Sequence, residues 1–111
     1  MTKINLTYNQ IHTIVSIFKE KNVDFNSTEF FNQLGRENRN LNKYTYPTLK
    51  YINLCILDLM NNLESNETYY DIQENKTKKI SLKVLSNIKS KLYKQLYLYD
   101  RLKKTIDELI L

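Results

Sequence analysis

The chain has 111 residues, of which 41% are hydrophobic, and it carries a formal net charge of +5 with one Gly, one Pro, one Cys and one His. That length fits one core, and the apolar fraction is too high for global disorder. So few Gly and Pro argue against a turn-rich sandwich or barrel, while one Cys and one His exclude a disulfide framework and a Cys/His metal cluster.

Thr7 followed three residues later by Gln10 predicts a capping box that opens a first helix. Ile11, Ile14, Val15 and Phe18 then form one apolar stripe, and this helix is expected to end near Asn22. Asn26 with Glu29 suggests a second cap, followed by a brief helix over roughly residues 27–34 whose face is Phe30, Phe31 and Leu34. Gly35 stands where a helix C-cap favours a positive φ. Arg36 to Lys43 reads as a polar, basic loop. Thr45 is expected to cap a third helix with Pro47 in its first turn. Leu49, Ile52, Ile56, Leu59 and Leu63 recur at intervals of 3, 4, 3 and 4 residues, and Cys55 reads as a small buried hydrophobe on the widened face.

From Glu67 the period changes. Tyr70 and Ile72 alternate with polar residues, as do Ile80 and Leu82, around a polar turn containing Asn75. This predicts a β-hairpin, with a helix through residues 66–83 as the competing reading. From Val84 the helical period returns, and Leu85, Ile88, Leu92, Leu96, Tyr99, Leu102, Ile106 and Leu109 form a long stripe. Such a helix spans roughly 40 Å at 1.5 Å per residue, more than a body of about 80 residues can cover. Its later part is expected to project and to pair with the same helix of a second subunit.

The expected architecture is therefore mainly α with one hairpin, in the order of a winged helix-turn-helix: residues 1–83 as the body, and residues 84–111 as a C-terminal dimerisation helix of the same domain. An all-α four-helix bundle is the alternative. The junction Lys78-Lys79-Ile80-Ser81-Leu82 before an amphipathic helix resembles that of PadR-type and MarR-type regulators. The run Lys91-Leu92-Tyr93-Lys94-Gln95 through Asp100-Arg101 and Lys103-Lys104 is similar to the dimerisation helix of the bacterial replication terminator protein. Two departures stand out: a long loop between the second and third helices, and no Gly after the third. The resemblance implies a homodimer recognising a two-fold DNA site.

Charge is grouped in blocks. Residues 36–50 carry +3, residues 51–75 carry −5, and residues 76–104 carry +9, with ten Lys/Arg against Asp100 alone. Two basic blocks suit a polyanion when the fold turns them to one face, and a solvated Lys-rich surface is the plain alternative. Arg36, Arg39 and Lys43 in the loop, and Lys76, Lys78 and Lys79 in the hairpin, are candidate phosphate contacts. Thr45, Tyr46, Thr48, Lys50 and Tyr51 are candidates at the start of a recognition helix, against the reading of an ordinary capped start with Tyr rings packed on the body. Leu92, Leu96, Tyr99, Leu102, Ile106 and Leu109 are the expected dimer seam.

No phosphate-binding loop, nucleophile motif or metal motif is present, so neither an enzyme nor a cofactor is expected, and His12 reads as a boundary residue. Residues 1–8 lack a signal-peptide pattern and no stretch approaches a membrane span, so a cytoplasmic protein with double-stranded DNA and itself as partners is expected. The sequence leaves any small-molecule effector open. The expected role is transcriptional repression, or plasmid or phage replication or partition. The rival is a small helical inhibitor of another protein, such as a bacteriocin immunity or phage anti-defence protein, and residues 66–83 discriminate the two.

Overall fold

The computed structural model describes residues 3–110; Met1, Thr2 and Leu111, at the ends of the expected body and C-terminal helix, lie outside the described residues. The element order is α1 (Tyr8–Glu20), α2 (Phe25–Arg36), a 3-10 turn (Leu41–Lys43), α3 (Tyr46–Asn61), β1 (Thr68–Asp71), β2 (Lys76–Lys79) and α4 (Leu82–Ile110). The protein is thus mainly helical, with a two-stranded antiparallel hairpin where a helix was the competing reading.

The α1 cap forms as its spacing predicts. Thr7 Oγ1 accepts from the Gln10 N–H at 3.0 Å, and Gln10 Oε1 accepts from the Thr7 N–H at 3.0 Å. Ile11, Ile14, Ile17 and Phe18 are its buried face. The second cap sits earlier than Asn26, because Asp24 takes the role: its carboxylate accepts from the Ser27 N–H at 3.2 Å and from Ser27 Oγ at 2.6 Å. A carboxylate is the stronger acceptor for the free N–H groups of a helix start, and it begins α2 two residues earlier than Asn26 would. Phe30, Phe31 and Leu34 are buried as expected. Phe31 meets Phe18 and Phe30 edge-on, with ring centroids 5.5 and 4.9 Å apart.

Gly35 is not the C-cap. It lies inside α2 with a negative φ, and the left-handed positions that turn the chain are Asn38 (φ 67°) and Arg39 (φ 59°). Asn tolerates that region through its short polar side chain. Arg39 is held there by its surroundings: its guanidinium lies 4.2 Å from the Tyr8 ring centroid and donates to the Leu6 carbonyl at 3.4 Å. Its backbone accepts from the Leu6 N–H at 3.1 Å, and the chain beside it pairs antiparallel with the N-terminal segment at Asn5 and Asn40. A Cβ added at Gly35 would meet only Ile11 Cγ2, at an ordinary 3.5 Å. Gly35→Ala is therefore expected to stabilise the fold by about 0.5–1 kcal/mol, read as a higher urea midpoint. A lower midpoint would show that Ile11 cannot yield.

The core joins α1, α2, α3 and the first half of α4. Leu49, Ile52, Ile56 and Leu59 of α3 pack along Leu85, Ile88, Leu92 and Leu96 of α4, while α2 packs chiefly on α1. Cys55 is half-buried, not a core residue: it faces the start of α2, with Ser27 Oγ 3.3 Å from its sulfur. Lys91 ties α4 to the start of α1, donating to the Asn5 carbonyl at 3.0 Å and to Gln10 Oε1 at 2.8 Å. Burial and the neighbouring Lys94 hold its ammonium below the ordinary lysine pKa.

The later part of α4 leaves the body. Every residue from Asp100 to Leu109 is exposed. The chain measures 55 × 28 × 23 Å with a radius of gyration of 15.3 Å, against about 13 Å for a compact chain of this length.

Candidate nucleic-acid interface

The hairpin owes its position to its inner face. Strand register pairs Tyr69 with Lys78 and Asp71 with Lys76, so these four side chains point one way, and Thr68, Tyr70, Thr77 and Lys79 point the other. The face turned to α1 is that of Tyr69 (4% exposed) and Asp71 (2%), not the expected face of Tyr70 and Ile72, which are 45% and 63% exposed. The period-2 signal was present, but its buried phase belongs to the run that carries the carboxylate.

Asp71 organises this hairpin. Its Oδ1 accepts from His12 Nε2–H at 2.8 Å and from the backbone N–H groups of Gln73 and Glu74 at 3.0 and 3.1 Å. The turn thus closes through an Asx-type arrangement in place of an Asn-Gly pair, with Asn75 in the left-handed region at φ 56°. Lys78 Nζ lies 3.3 Å from Asp71 Oδ2 and also pairs with Glu74. The His12 hydrogen bond, the Glu74 N–H and Lys78 hold the Asp71 carboxyl well below the usual carboxylate range, against the opposing effect of burial. At the base of the hairpin Lys21 pairs with Glu67, which also lies below its ordinary value. His12 is therefore half-buried and bound, and sequence spacing gave no sign of it because its partner is 59 residues away.

The expected DNA-contacting residues divide. Lys78 is committed to Asp71 and Glu74, which raise its pKa, so it belongs to the hairpin's own structure. Arg39 is likewise structural, stacked on Tyr8. Lys76 lies 3.7 Å from Glu74, and Arg36 lies 3.7 Å from Glu29, both pairs with an exposed cation. Tyr46 packs partly into the body with Lys50 Nζ 5.8 Å above its ring, as the plain reading of the helix start has it. Tyr51 is half exposed but sits beside Asp24 and Cys55, which hold its phenol above the ordinary pKa. Lys43, Thr45, Thr48, Lys50 and Lys79 are exposed, and among the described residues none of these three lysines forms an ion pair. Thr45 is the N-cap residue of α3 by position; its hydroxyl donates to Thr48 Oγ1 at 3.1 Å and accepts from no backbone N–H.

Lys43 and Lys79 are not neighbours. Tyr99 of α4 donates its hydroxyl to the Tyr44 carbonyl at 2.6 Å, so the start of α3 lies beside Tyr99 while Lys79 immediately precedes α4. About 25 Å of helix separates the two. The outward face of α3 is polar over its first turns and apolar beyond, where Leu54 and Leu57 are 52% and 38% exposed.

The expected dimer seam divides as well. Leu92 (0% exposed) and Leu96 (7%) belong to the core of the single chain, and Tyr99 packs against it with its hydroxyl bonded to Tyr44. The period of α4 runs unbroken across the edge of the body, so spacing alone cannot separate residues that pack within the chain from those beyond it. Leu102, Ile106 and Leu109 remain exposed at 59%, 45% and 81%. Among the described residues no helix is long and apolar enough to cross a membrane, and no cluster of His, Cys, Asp and Glu is placed to hold a metal ion. Comparison of the chain with protein-family models, curated proteins and solved structures gives no match.

Proposed function

We propose that this protein binds double-stranded DNA as a homodimer, holding phosphates with Lys43, Lys50 and Lys79 and reading bases with Thr45 and Thr48 at the start of α3. The observation that carries this reading is the hairpin directly after α3, which supplies the helix-then-wing order with Lys79 on its outward face. Occlusion of a two-fold site would then repress transcription or control plasmid or phage replication or partition. A protein target is the second reading, favoured by the exposed Leu54 and Leu57 midway along α3.

Fluorescence anisotropy against an arbitrary 30-base-pair duplex tests the proposal. Micromolar binding at 50 mM salt that weakens steeply by 200 mM is expected. Lys43→Ala and Lys79→Ala should each flatten the log–log salt slope by about 0.9, the value for one phosphate contact. Lys78→Ala should leave the slope in place, because its charge is spent on Asp71 and Glu74. No binding at 50 mM salt would overturn the DNA reading.

A further inference from the structure

We infer that the exposed half of α4 pairs antiparallel with the same half of a second copy, the tip of each helix seating in a groove at the base of the other. This inference rests on the dimeric reading above and adds its direction, register and contacts. Leu102, Ile106 and Leu109 continue, beyond the body, the spacing of Leu85, Ile88, Leu92 and the body-packed Tyr99 at 3-, 4- and 7-residue intervals, so they prolong one seam of heptad type. The groove lies where this seam leaves the core. It is an open, largely apolar cavity of about 610 Å³ lined by Leu98, Tyr99, Leu102 and the buried Gln95, together with the cations Lys3 and Arg101.

The occupant is set by charge and by symmetry. The charged residues lining the groove are both cations, whereas the last turn of α4 carries Asp107 and Glu108 beside Leu109. Receptor and plug therefore belong to the same chain, as a closed two-fold interface requires. With the two-fold axis at Lys104, Leu109 of each copy faces Tyr99 of the other, and Ile106 faces Leu102. The same register sets Asp107 level with Arg101 and brings Glu108 within one residue of that level, with Glu108 also level with Asp100. Each of these pairs is formed twice. A parallel pairing has none of these features: it sets Arg101 against Arg101 and Glu108 against Glu108, and crowds the two bodies at one end.

Sedimentation equilibrium of the full chain without DNA tests the inference, with far-UV circular dichroism to check folding. The wild type is expected to be dimeric at micromolar concentration. Ile106→Asp, at an exposed position, is expected to give a folded monomer. Arg101→Glu and Asp107→Arg are each expected to weaken the dimer about tenfold, since a paired contact becomes a like-charge contact twice over. The double variant R101E/D107R should restore the wild-type dissociation constant. A dimer whose double variant is no tighter than either single overturns the antiparallel register and leaves the dimeric reading standing. A wild type that stays monomeric at 100 µM overturns both. Failure of DNA binding by an intact dimer strikes the DNA reading alone.

Discussion

Phe31→Ala is expected to destabilise the chain by about 3–5 kcal/mol, enough to leave much of it unfolded at 37 °C. Phe31 is fully buried, and its ring is the middle one of three: Phe18 of α1 meets it on one side, Phe30 on the other, both edge-on. Tyr44 extends the row, its ring centroid 4.6 Å from that of Phe30. Removing the middle ring forfeits its transfer energy and two aromatic contacts, and leaves a void between α1 and α2 that their capped ends keep from closing. The comparison that gives this number meaning is along α4. Leu92→Ala should cost about 2–5 kcal/mol in the monomer, whereas Leu102→Ala, at a position 59% exposed, should cost the monomer under about 0.5 kcal/mol and act only on association. Urea unfolding of each variant in the monomeric Ile106→Asp background separates these costs. Equal losses at Leu92 and Leu102 would mean that α4 docks on the body along its whole length.

Much of the fold is legible in the sequence because its signals are local. A capping box, stripes at intervals of 3 and 4 residues, and a switch to period 2 between two helices each declare themselves within ten residues; the box, the helices and a hairpin form, although the strands are Thr68–Asp71 and Lys76–Lys79, with Ile72 and Ile80 outside them and Leu82 opening α4. What fails to show is of two kinds. Some competing local signals differ only in strength: Asp24 outbids Asn26 as a cap, and the left-handed turn falls to Asn38 and Arg39 because Arg39 gains Tyr8 and the Leu6 carbonyl, leaving Gly35 an ordinary helix residue. The rest depends on contacts between distant segments. Lys78 reads as a free phosphate ligand in a cluster of three lysines, yet the folded hairpin sets it beside Asp71 and Glu74. Lys78 and Arg39 thus have partners within the chain that their sequence neighbours do not announce. A basic run states how many cations are available and says nothing of how many are already paired.

The pairing of Asp71 leads to the second large effect, an acid-labile hairpin. The Asp71 carboxylate serves four donors on three segments: His12 of α1, the turn N–H groups of Gln73 and Glu74, and Lys78 of β2. Its folded pKa is depressed, so its contribution is fully present above the unfolded aspartate value of about 3.9 and is lost as pH falls through the lower folded value. Lys78 has the opposite sign. Its folded pKa is raised, chiefly by Glu74 and then by Asp71, so its contribution holds below the unfolded lysine value of about 10.4 and fades as pH rises through the higher folded value. Together they make a plateau of hairpin stability between roughly pH 4 and pH 10. Asp71→Asn keeps an acceptor for the turn and removes the charge that His12 and Lys78 face. On the plateau it is expected to lower the thermal midpoint by roughly 10 °C, in keeping with the loss of a buried ionic contact in a domain of this size. The gap between wild type and variant should then narrow as pH falls below about 4, because the wild-type carboxyl is itself being protonated there. Thermal melts from pH 7 to pH 2.5 decide it. A gap that stays constant over that range would place the cost in shape, not in charge, and would remove the Asp71 charge as what holds the hairpin, and with it Lys79, in position.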